Sequence, residues 1–176
     1  MRWVVVATLS AVMLAGSAGP AEAARARVDD PGQQAGYEIG VLRIPAIGVE
    51  EVVREGVAQP VIDRGVAHWL GTAAPGGEGN LVLAGHRTLG TAPFYHLDRL
   101  EPGDLIGVAW TGGPAATYRV TEIFVVSPAD VWIVEWTSQP SLTMFSCHPK
   151  GSALQRIVIR AELVQVDPAV WLDRIA

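Results

Sequence analysis

The run Ser141-Leu-Thr-Met-Phe-Ser-Cys-His-Pro-Lys-Gly-Ser-Ala-Leu-Gln-Arg156 leads straight into Ile157-Val-Ile-Arg-Ala-Glu-Leu-Val-Gln-Val166. It reads as two β-strands and a turn. The first strand, residues 141–147, is apolar and β-prone, and it ends on the single cysteine of the chain, Cys147. Pro149 and Gly151 lie among the residues that follow, which predicts a turn. In the second strand, residues 156–166, Ile157, Ile159, Ala161 and Leu163 share one face, and Arg156, Arg160 and Glu162 share the other. If the two strands pair, Cys147 closes one where Arg156 opens its neighbour, and neighbouring strands lie only about 4.8 Å apart.

The rest of the chain repeats the pattern of short apolar runs cut by turns. Residues 40–45 read as a strand stopped at Pro45, residues 51–54 as a short strand, and residues 57–64 as room for one helical turn. Residues 66–70 lead into a Gly/Pro loop at 71–79, and residues 80–86 form a strongly apolar strand, buried on both faces, that ends at His86. Proline near the start and the apolar spacing predict a short helix over 92–100. Residues 105–110 and 116–126 make a hairpin around Thr111-Gly-Gly-Pro114, and residues 131–134 read as short strand or loop. About seven or eight strands with little helix and no strand–helix alternation predict an all-β fold. The expected architecture is a closed or nearly closed, antiparallel-rich barrel.

Residues 1–23 carry a targeting segment: Arg2, an uncharged aliphatic run from Trp3, and small residues ending in Ala21-Glu22-Ala23. The apolar run is short for a membrane span, which takes about 20 residues. A cleaved signal and a retained anchor through residues 3–19 both fit, and both place the rest of the chain outside the cytoplasm. Residues 24–37 form a polar linker, residues 38–167 the barrel domain, and residues 168–176 a tail in which Pro168-Ala-Val-Trp171 starts a small helix. An apolar fraction of 49% supplies a core. The net charge of -5, with no basic run beyond two neighbours, argues against a nucleic-acid partner.

Cys147 has no intramolecular disulfide partner, so it is either a small buried hydrophobe or a reactive thiol. A thiol, a histidine at a strand end (His86) and an arginine at the next strand start (Arg156) are the parts needed for acyl transfer through a thioester. His148 neighbours Cys147, but adjacent strand residues point to opposite faces, which argues against it as the base. His68 and His96 carry no motif, and no H-x-x-x-H or C-x-x-C pair points to a metal. Ser146 keeps a hydroxyl beside the thiol, either as strand filler or as a substrate or oxyanion contact. No cofactor motif appears, and no G-x-S-x-G elbow.

Several separated motifs, in order, carry a resemblance to a known family. They are Leu42-Arg-Ile-Pro-Ala-Ile-Gly48, Pro75-Gly-Gly-Glu-Gly-Asn80, Leu83-Ala-Gly-His-Arg-Thr88 with Ala92-Pro-Phe94 and Leu97-Asp98, Val126-Ser-Pro-Ala-Asp-Val-Trp132, and Thr143-Met-Phe-Ser-Cys-His-Pro149 through Gln155-Arg156. On these the chain resembles the sortases, and among them the class E group of actinobacteria. The resemblance implies a sortase-type eight-stranded β-barrel with one or two short helices. It implies a catalytic set of Cys147, His86 and Arg156. Thr143, Ser146 and His148 beside them are candidate substrate contacts, and no residue is singled out as a metal ligand or for a cofactor. It also implies cleavage of a C-terminal sorting signal, LAxTG- or LPxTG-like, between Thr and Gly. The implied partners are surface proteins bearing such a signal and a peptidoglycan precursor or other amine acceptor. Thr143-Met144-Phe145-Ser146-Cys147 departs from the family's Thr-Leu-x-Thr-Cys at two positions, keeping bulk at one and the hydroxyl at the other. Two rival readings are an exported non-catalytic β-barrel binding module and an L,D-transpeptidase-like enzyme. The latter lacks support because Phe-Ser precedes Cys147 and Pro149 stands where that group has arginine.

Overall fold

The computed structural model describes residues 36–167. The segments at 1–23 and 168–176, including the helix expected from Pro168, lie outside the described residues, as does most of the linker. Eight strands close into one barrel: β1 (Glu38–Ile44), β2 (Val49–Glu55), β3 (Val66–His68), β4 (Asn80–Ala84), β5 (Leu105–Trp110), β6 (Ala115–Val126), β7 (Ser141–His148) and β8 (Gln155–Asp167). Around the barrel they run β1-β2-β3-β4-β7-β8-β6-β5, and β5 pairs back onto β1. Gly40 makes that closure possible: a Cβ there would stand 2.0 Å from the Ala109 carbonyl oxygen, so only glycine fits.

The expected all-β barrel is what the chain forms. Six of the eight pairings are antiparallel, and two, β2 with β3 and β4 with β7, are parallel. The continuous apolar run of β4 follows from its place between β3 and β7, where all five residues are buried. Its Leu81 and Leu83 join Leu142, Met144, Ile157 and Ile159 in the barrel core. Tyr118 on β6 is wholly buried, and its hydroxyl accepts a hydrogen bond from the Gly76 amide at 2.8 Å.

One helical expectation holds and one does not. A four-residue α-helix, α1 (Gln59–Ile62), follows β2, with Pro60 near its start. The helix expected over 92–100 is absent. Ala92 adopts φ 48°, which breaks a helix at its first residue, and only a 3-10 turn at Leu97–Arg99 remains. Residues Val131–Val134, read as strand or loop, form another 3-10 turn.

That second turn is held by Asn80, a buried polar residue at the start of β4. Its amide nitrogen donates to the carbonyls of Ile133 (3.1 Å) and Glu135 (3.0 Å), and its oxygen accepts from the hydroxyls of Thr143 (2.7 Å) and Ser141 (3.4 Å). Every hydrogen-bonding position of the amide is thus used. Asn80→Ala leaves the buried Thr143 hydroxyl and loop carbonyls without partners. It should lower the unfolding free energy by about 1–3 kcal/mol, read from urea denaturation.

Candidate active site

The β7–β8 register sets Cys147 directly opposite Arg156, with Phe145 opposite Val158 and Thr143 opposite Arg160. Directly opposed residues share a face. Leu142, Met144 and their partners Ala161 and Ile159 fill the core, so Thr143, Phe145 and Cys147 point to the outside of the barrel. The parallel β4–β7 register pairs Val82 with Thr143 and Ala84 with Phe145. His86 follows the end of β4 by two residues, as Cys147 follows Phe145 by two on β7. The pairing extends past the formal strand end, because the Ser146 hydroxyl donates to the Gly85 carbonyl at 2.7 Å. The three residues singled out from the sequence therefore lie at one rim of the barrel. Cys147 is half-buried and its thiol is free.

Close backbone approach fixes the exit of β4. A Cβ on Gly85 would meet the Phe94 ring at 2.9 Å, and the Phe94 amide donates to the His86 carbonyl at 3.2 Å. Two residues with no motif complete the surroundings of His86. Its Nε2 donates to Asp63 Oδ1 at 2.8 Å, and the Gln59 amide donates to the same oxygen at 2.7 Å. Gln59 Nε2 and His86 Nε2 are 3.2 Å apart as two donors sharing one acceptor. The hydrogen bond from His86, and after it the one from Gln59, hold the Asp63 carboxyl below the usual carboxylate range. Gln59 and Asp63 sit at the two ends of the α1 turn, four positions apart on one face. Sequence reasoning placed a helical turn here but had no signal that the turn faced His86.

The guanidinium of Arg156 donates through Nη1 to the carbonyls of Ala153 (3.0 Å) and Gln155 (2.9 Å). One acceptor lies in the turn between β7 and β8 and the other is the preceding residue of β8, so the entry into β8 sets the direction of the side chain. Thr143 is wholly buried and bonded to Asn80, and Ser146 is 2% exposed and bonded to Gly85, so both hydroxyls serve internal ties rather than an open groove. His148 is half-buried, paired in register with Gln155. Of the remaining histidines, His68 is a core tie: its ring bonds Glu55 Oε1 and Thr72 Oγ1, both at 2.9 Å. His96 lies in the 86–100 segment, and desolvation, with the charges of Arg99 and Lys150, lowers its pKa. A shallow hollow lined by Pro102, Thr121, Ile123 and Trp132 contains none of Cys147, His86 and Arg156.

A closed β-barrel with a free thiol, an imidazole and a guanidinium at one rim defines a class of thiol-bearing barrel proteins. Comparison with known proteins narrows it. A family model described as Sortase domain matches residues 42–164. Sortase SrtE1 of Streptomyces coelicolor is 32% identical over 149 residues, covering 76% of this chain and 42% of that protein. The chain thus spans less than half the length of that relative. Among solved structures, the sortase E1 of S. coelicolor with a tripeptide in its active site superposes with a TM-score of 0.69 at 28% identity, covering 76% of this chain and 91% of that one. A Clostridium perfringens sortase D5 transpeptidase gives 0.68 at 28% identity, covering 84% and 90%. The chain belongs to the sortase family, and its likeness runs to the class E members.

Because the Asp63 carboxyl ionises more readily in the folded protein than in the unfolded chain, its contacts stabilise the fold at neutral pH. That contribution is lost as pH falls through the folded-state value. Asp63→Asn removes the titrating group, so thermal melts taken between about pH 7 and about pH 3 should show a shallower acid decline for the variant than for the wild type.

Proposed function

We propose that this chain is a cysteine transpeptidase that cleaves a C-terminal sorting signal of LAxTG or LPxTG type between Thr and Gly. It then joins the Thr carboxyl to an amine on a cell-wall precursor or similar acceptor. Family membership supports the broad class. The finer reading is carried by one observation: Cys147 and Arg156 are cross-strand partners at the rim where β4 ends just before His86.

In this scheme the Cys147 thiolate attacks the Thr carbonyl carbon, and a C–S bond forms as the carbonyl becomes an oxyanion. Arg156 faces the same side as the thiol and stabilises that charge. As the tetrahedral species collapses, the C–N bond to Gly breaks and the His86 imidazolium gives its proton to the departing amine. A thioester remains on Cys147. An incoming amine then attacks, His86 takes up its proton, the new amide bond forms, and the C–S bond breaks to restore the thiolate.

With Nε2 committed to Asp63, Nδ1 is the ring nitrogen that exchanges the proton. Asp63 holds the ring in that orientation through its bond to Nε2. Thr143 and Ser146 support the site from beneath, and His148 is the remaining candidate for direct substrate contact. The chain works outside the cytoplasm, with residues 3–19 as signal or anchor. Among the described residues no helix is long and apolar enough to cross a membrane.

The test pairs the purified chain with fluorogenic LAxTG and LPxTG peptides and a glycine or diamino-acid acceptor. Cys147→Ala should abolish cleavage. His86→Ala and Arg156→Ala should each lower turnover by about 10²-fold or more. Product lacking incorporated amine would make the protein a peptidase, and undiminished cleavage by Cys147→Ala would remove the thioester scheme.

A further inference from the structure

The backbone ladder between β4 and β7 ends at Ala84 and Phe145, two residues short of His86 and of Cys147. Past that point the Ser146 hydroxyl ties Gly85, and a further contact braces the chain beyond His86 and Cys147. The residue after His86 is Arg87, whose side chain is only 1% exposed. A buried guanidinium needs a counter-charge, and Asp98 supplies it: Arg87 Nη2 lies 2.8 Å from Asp98 Oδ1. Neither Nη1 nor Nη2 has a hydrogen-bond acceptor in good alignment, so this contact is chiefly Coulombic. The directed bond is from Arg87 Nε to the Tyr95 carbonyl, at 2.8 Å.

The second oxygen of Asp98 meets the other segment. Lys150 Nζ lies 3.1 Å from Asp98 Oδ2, and the ammonium sits 4.4 Å from the centre of the Tyr95 ring. Lys150 is three residues after Cys147, in the turn that carries the chain on to Arg156. It is also the only lysine in a chain with twelve arginines. A compact ammonium suits this position because Arg87 already engages one carboxylate oxygen, leaving a single oxygen and a ring face rather than a bidentate fork.

We propose that Asp98 is a positioning residue. Its two oxygens hold Arg87 and Lys150, and so fix the spacing between the segments that carry His86 and Cys147 in the transfer reaction. The proposal rests on the reading of those two residues as the reacting pair. Partial burial opposes ionisation of Asp98, but the Lys150 hydrogen bond and the Arg87 and Lys150 charges outweigh it, leaving the carboxyl below its ordinary range. The clamp is thus assembled with Asp98 charged at neutral pH.

Asp98 and Lys150 are the solvent-accessible members, with side chains 40% and 31% exposed, so they can be changed with less risk to the core than Arg87. Asp98→Asn, Lys150→Met, their double variant and Lys150→Arg are made in the full chain. Two readouts follow: kcat and KM for sorting-peptide cleavage, and amide hydrogen exchange by mass spectrometry. Each single loss should lower kcat about tenfold with KM held within about twofold, as expected for misplaced reacting groups. The double variant should be no slower than the worse single one, and Lys150→Arg should recover at least about half of the wild-type kcat. Exchange should rise together over 86–99 and 148–152 in Asp98→Asn, with the β1–β5 ladder unchanged. Multiplying losses, a rise in KM at constant kcat, or faster exchange in only one of the two segments overturns the clamp. A wild-type chain that cleaves no sorting peptide instead removes the functional reading, and the concerted exchange then decides the clamp by itself.

Discussion

The parallel pairing of β4 with β7 is the constraint from which the site follows. Parallel strands run the same way, so both end at the same rim of the barrel. β8 is antiparallel to β7 and therefore begins at that rim. Three strand termini meet there, and each carries one of the residues read as reactive: His86 just past β4, Cys147 near the end of β7, and Arg156 near the start of β8. The interior alternation of the same strands supplies the rest. Leu81, Leu83, Leu142, Met144, Ile157 and Ile159 turn inward, which forces their neighbours outward. A register slip of one residue between β7 and β8 would bury the thiol side of β7 and expose core side chains, so core packing itself enforces the outward thiol.

The rim would be chemically loose if strands alone shaped it. His86 lies off the end of its ladder, and its ring direction is set by Asp63 and Gln59 at the two ends of α1. That arrangement fixes which ring nitrogen is committed to the carboxylate. Arg156 is oriented in a comparable way by the carbonyls of Ala153, in the turn, and of Gln155. In both cases a polar tie from a short irregular segment finishes what a strand begins.

This division explains what could be read from residues alone. The alternation in 156–166, the apolar run of 80–84 and the glycine- and proline-rich interruptions carry the barrel, because burial on one or both faces leaves a period in the sequence. The strand-end positions of His86, Cys147 and Arg156 were legible for the same reason. Asp63 and Gln59 were not. Their relation to His86 depends on how the loop after β2 folds over the rim, and no period records it. The segment 92–100 misled because proline and apolar spacing imitate a helix, whereas its real task is to pack Phe94 against Gly85 and to accept the Arg87 side chain. Thr143 and Ser146 look like groove hydroxyls beside a thiol. In the fold, Asn80 covers one and the core side of β7 receives the other.

The turn between β7 and β8 couples the two sides of the rim. It presents Arg156 through the Ala153 and Gln155 carbonyls, and three residues after the thiol it presents Lys150 to Asp98. A change in the shape of this turn would therefore move the cross-strand partner of Cys147 and the cation that meets Asp98 at the same time. Loops of this kind normally tolerate substitution because little depends on them. Here the turn is bounded on both sides by residues of the rim, so its freedom is that of the site. The barrel wall supplies coarse placement through hydrophobic burial, and the final ångström rests on a few charged contacts at its edge, where a small displacement weighs most on reactivity.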